Sequence, residues 1–151
     1  YGGILEKTGI LGALLDKMVA LTKNARNLII SHVISALLVN MLSASQYVAI
    51  LIPGRMYLPA YDRLKIKRHV ASRTCEDAAT VTSPLVPWGL CGVYFTGTLG
   101  VATLEYFPYT YLAIFVPIIA VIYGITGKFI WYNTDEEQAE INREYEDEVL
   151  A

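Results

Sequence analysis

The sequence predicts an all-α fold: a polytopic membrane protein with spanning helices and one broken or re-entrant helix, forming one half of an inverted-repeat architecture. Three observations carry this. The chain is 54% hydrophobic and only 17% charged, where a soluble domain carries about a quarter charged residues. Residues 28–52 run for 25 residues without an Asp, Glu, Lys or Arg, and about 20 suffice to cross a bilayer. Finally, residues 73–89 place Glu76, Asp77, Thr80, Thr82 and Ser83 just before Pro84 and Pro87 in an otherwise apolar chain. No repeat is visible within the 151 residues, so a symmetry-related half would have to lie in a further stretch of protein.

Charge is unevenly distributed. The net charge is −2, with six of twelve Lys and Arg between Arg55 and Arg73 and eight of fourteen acids after Asn133. No basic field suits nucleic acid. The two cysteines, Cys75 and Cys91, have neither metal-ligand nor disulfide spacing and read as packed thiols. The sequence opens at Tyr1 without an initiator Met or a signal peptide, so the expectation is part of a longer reading frame lacking its N-terminal half. Residues 1–132 form a partial membrane domain and 133–151 an acidic polar tail.

Taken in order, residues 4–22 have helical periodicity through Leu11, Leu14, Leu15, Met18 and Val19. Glu6, Lys7, Asp16 and Lys17 suit an interfacial or bundle-packed helix better than a lipid-facing one. Residues 28–52 form the clearest span, ended by Pro53-Gly54. Residues 54–73 form a basic loop, placed on the cytoplasmic side by the positive-inside rule, with the loop before residue 28 outside. Residues 74–103 hold the broken segment. Its second arm, Leu90 to Thr103, is rich in glycine, which lets helices approach closely. Each arm is too short to span at about 1.5 Å per residue. An interrupted span is preferred to a re-entrant hairpin. Residues 107–126 form the last span, kinked at Pro117, with tyrosines and Trp131 as aromatic belts. The tail is a polar helix or a disordered, solvated run.

The chemistry concentrates in the broken segment. Proline has no N–H, so in a helix Pro84 strips the carbonyl of Thr80 of its partner and Pro87 that of Ser83. In hydrocarbon such oxygens must find protein, water or an ion. Interrupted helices with polar side chains are one way a membrane protein makes a small-cation site.

Several motifs resemble one family. They are Gly2-Gly3-Ile4-Leu5-Glu6-Lys7-Thr8-Gly9, Gln46-Tyr47-Val48-Ala49-Ile50 leading to Ile52-Pro53-Gly54-Arg55-Met56, and Ser72-Arg73-Thr74-Cys75-Glu76-Asp77 running to Thr82-Ser83-Pro84-Leu85-Val86-Pro87-Trp88. Cys91-Gly92 and Thr98-Leu99-Gly100-Val101 follow. In this order and spacing, over residues 1–127, they resemble the C-terminal part of the NhaC-type sodium/proton antiporters, which include malate/lactate-coupled relatives. The resemblance implies a multi-pass protein of the bacterial or archaeal inner membrane, working by alternating access with sodium leaving and protons entering. The bilayer and the missing half are its implied partners, and a homo-oligomer is left open. Sodium and protons are cargo, and no cofactor is implied. Two positions depart from the family pattern: Ser45 where an Asp commonly precedes Gln-Tyr, and Gly89 where an Asn commonly follows Pro-Trp. They keep a second reading open, a non-transporting or degenerate membrane subunit with an assembly role.

A hard cation such as sodium prefers oxygen ligands, and one carboxylate can hold either a proton or the cation. Asp77 is the preferred exchanging group, with Glu76 second and Arg73 as its i,i+4 partner. Thr80 shares a helical face with Asp77. The ion-binding set is Asp77, Glu76, Thr80, Thr82 and Ser83, with Asp77, Thr80 and Ser83 as sodium ligands. Asn40, Gln46, Arg73 and Trp88 support it. The bland alternatives are first-turn acids for Glu76 and Asp77, hydroxyls bonded to their own helix, an interhelical hydrogen bond for Asn40 and Gln46, and a packing ring for Trp88. His32 reads as solvated or paired rather than as a proton relay.

Overall fold

A computed structural model describes residues 10–20 and 22–150. The Gly2–Gly9 motif and the start of the helix expected over 4–22 lie outside the described residues. The order is α1 (Ile10–Ala20), α2 (Ala25–Ser43), α3 (Gln46–Arg63), α4 (Arg68–Cys75), a π-helical turn (Glu76–Thr80), a 3-10 turn (Ser83–Leu85), α5 (Leu90–Leu99), α6 (Thr103–Tyr106), a second 3-10 turn (Phe107–Tyr109), α7 (Tyr111–Thr126) and α8 (Asp135–Leu150). Among the described residues the only β pairing is the isolated bridge Ile66–Tyr132, so the all-α expectation holds.

The expected span over 28–52 divides differently. It ends at Ser43, where Ala44 adopts a left-handed conformation at φ 58°. The next helix starts at Gln46 and runs straight through Pro53 and Pro59 to Arg63. α2 and α3 therefore form an antiparallel hairpin with its tip at Ala44–Ser45. Leu28, Val33, Ala36 and Val39 of α2 pack with Ala49, Tyr57, Ala60 and Tyr61 of α3 in one buried core. The hairpin corrects two expectations. The basic stretch 54–73 is mostly helix, with a short turn between Arg63 and Arg68. The residues before α2 and this turn lie at the same end, not on opposite sides: the Arg63 guanidinium donates to the Thr22 carbonyl at 3.0 Å.

From that basic end, α4 and the π turn run back towards the tip beside α2, with Ala71, Ala78 and Ala79 in the core. The chain is extended at Val86. α5 then folds back on the first arm instead of prolonging it. Phe95 and Leu99 line the same cavity as Thr80, Val81 and Pro84. A Cβ on Gly92 would strike the Val86 carbonyl. The interrupted span is thus a bent pair of arms. The last span also carries a bend ahead of α7. α7 continues through Pro117, and the chain turns by 62° where the Phe107–Tyr109 turn meets α7 at Thr110.

Among the described residues α2 is the one helix long and apolar enough to cross a membrane, and α6 with its 3-10 turn and α7 pass together as a bent pair. The outer faces of α5 and α7 are apolar and uncovered, among them Val93, Tyr94, Leu112, Phe115 and Ile122. The acidic tail is the helix α8, laid along the basic end.

Candidate functional site

Two helix interruptions meet at the hairpin tip. The last four carbonyls of a helix lack intrahelical partners, and α2 obtains two of them from the second break: Trp88 Nε1 donates to Met41 O at 2.7 Å and Leu90 N to Ala44 O at 3.1 Å. Cys91 Sγ donates to Gln46 Oε1 at 3.3 Å. Trp88 and Gln46 are thereby brought together, although the Trp88 ring is 59% exposed. Ser45 and Gly89 are the N-cap residues of α3 and α5, and neither makes a side-chain cap bond.

One turn below the tip, Asn40 joins α2 to the first arm. Its Nδ2 donates to Ala79 O at 3.1 Å and to Thr82 Oγ1 at 3.2 Å, and Thr82 Oγ1 in turn donates to Ala78 O. This arises because the backbone winds wide here: Val81 N bonds Glu76 O, five residues back. Such π turns recur at functional sites. The interhelical role for Asn40 and the backbone-bonded role for Thr82 are both realised.

The wide turn spreads the remaining candidates. Asp77 is partly buried and lies 3.9 Å from Arg73 Nε. That is an ionic contact beyond hydrogen-bond reach, and Arg73 Nε is buried without a hydrogen-bond partner. Arg73 also sits over the Tyr123 and Trp131 rings and donates to Phe129 O at 3.3 Å. Glu76 is exposed and faces a separate cavity of about 270 Å³ shared with Arg55, Arg68 and Ser72. Thr80 borders a cavity of about 550 Å³, otherwise walled by Pro84, Phe95, Tyr106, Tyr111 and other largely apolar groups. Its Oγ1 is buried without a hydrogen-bond partner. Ser83 is buried beside Thr82. Asp77 does not line the Thr80 cavity.

Sequence reasoning missed a second polar centre. His32 is fully buried, stacked on Tyr57 at 4.6 Å, 3.1 Å from Tyr61 OH through Nδ1 and 3.3 Å from Cys75 Sγ through Nε2. Tyr57 OH is shared by Ser31 and Ser35, each at 2.7 Å, and Tyr61 OH donates to Thr74 Oγ1 at 3.4 Å. The paired reading of His32 is the right one. The available signal was Tyr57 and Tyr61, four apart with Ala60, a helical face inside what read as a loop. Asp62 was also missed. It is buried at the basic end, held by both arms of Arg68 at 3.2 and 3.1 Å and by Tyr145 OH at 2.8 Å, and its carboxylate raises the Arg68 pKa.

Helices broken in mid-course, joined by neutral hydrogen bonds and faced outwards by bare apolar side chains, fit a fragment of a helical membrane protein of transporter type. Residues 1–128 match the Na+/H+ antiporter family. The chain belongs to that family. It is 39% identical over 132 residues to the malate-2H(+)/Na(+)-lactate antiporter of Bacillus subtilis, covering 87% of this chain and 28% of that protein. It is 35% identical over 127 residues to the Na(+)/H(+) antiporter NhaC of the same organism (84% and 28%). It is 34% identical over 139 residues to the arginine/ornithine antiporter ArcD of Halobacterium salinarum (92% and 29%). The chain thus spans under a third of the length of these relatives, all of them transporters. No solved structure matches it.

Proposed function

We propose that this chain forms part of the ion-exchange core of a sodium/proton antiporter of the bacterial or archaeal inner membrane, working by alternating access. The observation that carries the reading is the Thr80 hydroxyl, buried without a hydrogen-bond partner in the turn where Pro84 cannot supply an N–H to Thr80's own carbonyl. The hydroxyl oxygen is thereby left for a hard cation. Asp77, three residues earlier in the same π turn, is the exchanging carboxylate; protonated it releases sodium, ionised it attracts it. Arg73, 3.9 Å away, is its ionic partner. Ser83 supplies a further oxygen, Glu76 is the alternative acid, and Asn40 with Thr82 holds the π turn open. The bare faces of α5 and α7 meet lipid or the remainder of the transporter. Sodium and protons are the cargo, with no resident cofactor.

The experiment is reconstitution of the full-length protein into proteoliposomes carrying a pH dye. A sodium-dependent pH change lost in Asp77→Asn supports the reading, and one that persists in that variant removes Asp77 from it. Ser45 and Gly89, the two departures from the family pattern, keep a second reading in play, a non-transporting subunit kept for assembly; absence of any sodium-dependent signal from the unsubstituted protein would select it.

A further inference from the structure

The basic end of the molecule and α8 carry an inference independent of transport. At that end the hairpin presents Arg63, Lys65, Lys67 and Arg68, with the Thr22 carbonyl bonded by Arg63. α8 covers part of this surface with carboxylates: Asp135 on Lys65 at 3.2 Å, Glu137 on Lys67 at 2.7 Å and Glu144 on Arg68 at 2.9 Å. The approach to α8 is fixed by backbone bonds, Lys67 N to Trp131 O at 2.9 Å and Asn133 N to Lys65 O at 2.7 Å. The family model's match ends at residue 128, before α8 begins.

We propose that the basic turn between α3 and α4 is a docking surface for anionic phospholipid headgroups, and that α8 occupies it in competition with them. Its chemistry is legible from its present occupant: acidic oxygens presented along one line to three cations. The turn closes the charged end of a bilayer-length hairpin, where a basic cluster faces the headgroups of the adjoining leaflet and attracts anionic lipid. The outer ion pairs of α8 are replaceable, beside the inner bond from Tyr145 OH to the buried Asp62 at 2.8 Å. The Lys65 and Asp135 side chains are 57% and 97% exposed, and exposed ion pairs are weak and screened by salt. A leaflet offering many phosphates displaces such an occupant, and a leaflet of zwitterionic lipid leaves it in place.

The test is cleavage of α8 by a glutamate-specific protease in the reconstituted full-length protein. Vesicles of phosphatidylcholine alone are compared with vesicles half phosphatidylglycerol. The native chain is cut roughly tenfold faster in the anionic vesicles. The combined Asp135→Asn, Glu137→Gln, Glu144→Gln variant is cut fast in both, since its remaining glutamates are still substrates. The combined Lys65→Gln, Lys67→Gln variant loses the dependence on lipid. Equal rates for the native chain in the two vesicle types overturn the proposal, as does a lipid dependence that survives removal of both lysines.

Discussion

The hairpin tip and the basic end are held by opposite means. At the tip, Met41 O, Ala44 O and Ala79 O are taken by Trp88, Leu90 and Asn40; no charge takes part. At the basic end, Lys65, Lys67 and Arg68 meet Asp135, Glu137 and Glu144. The difference is sharpest at the buried Asn40 bond. There an unpaired Ala79 carbonyl would cost about 1–3 kcal/mol, so this neutral bond holds structure firmly. Where water is present, an ion pair contributes about 0–1 kcal/mol and responds to salt. Asp62 is the exception that fits the same rule: it is buried at the charged end and is the one carboxylate there given three hydrogen bonds.

The contrast can be broken at three places. The largest expected effect is at the tip, for Gly92→Ala. The added methyl meets the Val86 carbonyl, part of the backbone, so the extended link must move and pull Leu90 away from Ala44. Thermal unfolding in detergent should show a loss of about 3 kcal/mol; an unchanged midpoint would mean that the two breaks are not tightly apposed. Asn40→Ala comes next. It leaves Ala79 O buried without its donor and should cost about 2 kcal/mol in the same assay, and it should be insensitive to added salt. A salt-dependent loss would blur the distinction drawn here.

The smallest effect is at the basic end and is read by pH. The Lys67 ammonium, with the Thr134 backbone N–H, lowers the Glu137 pKa from 4.5 to about 2. A depressed carboxylate stabilises the folded form fully above its unfolded value and loses that contribution as pH falls through the folded one. Protection of α8 from proteolysis should therefore exceed that of Glu137→Gln at pH 6, with the gap closing between pH 4.5 and about 2. A gap that stays constant down to pH 2 would show that Glu137 and Lys67 are not coupled.

Much of this was legible in the sequence. The all-α membrane class, the polar segment ending in Pro84 and Pro87, the Arg73–Asp77 spacing and the family all follow from composition, proline chemistry and motif order. Local signals misled at Pro53-Gly54, which reads as a helix end and lies inside α3. The acidic tail read as solvated because its partners are in the basic turn some 70 residues earlier. The His32 centre was hidden because Tyr57 and Tyr61 lay in a stretch that its charges marked as loop.

By itself, then, the sequence determined which residues are apolar enough to be buried or to face lipid, and where proline denies the backbone a donor. Only the tertiary structure decided where α2 stops. Nothing local marks Ala44 as a turn, since neither glycine nor proline stands there. The end of the helix and its cap residue are met from afar, Met41 O by Trp88 and Ala44 O by Leu90, and hydrogen-bond partners so distant in sequence are set by packing, not by neighbouring residues.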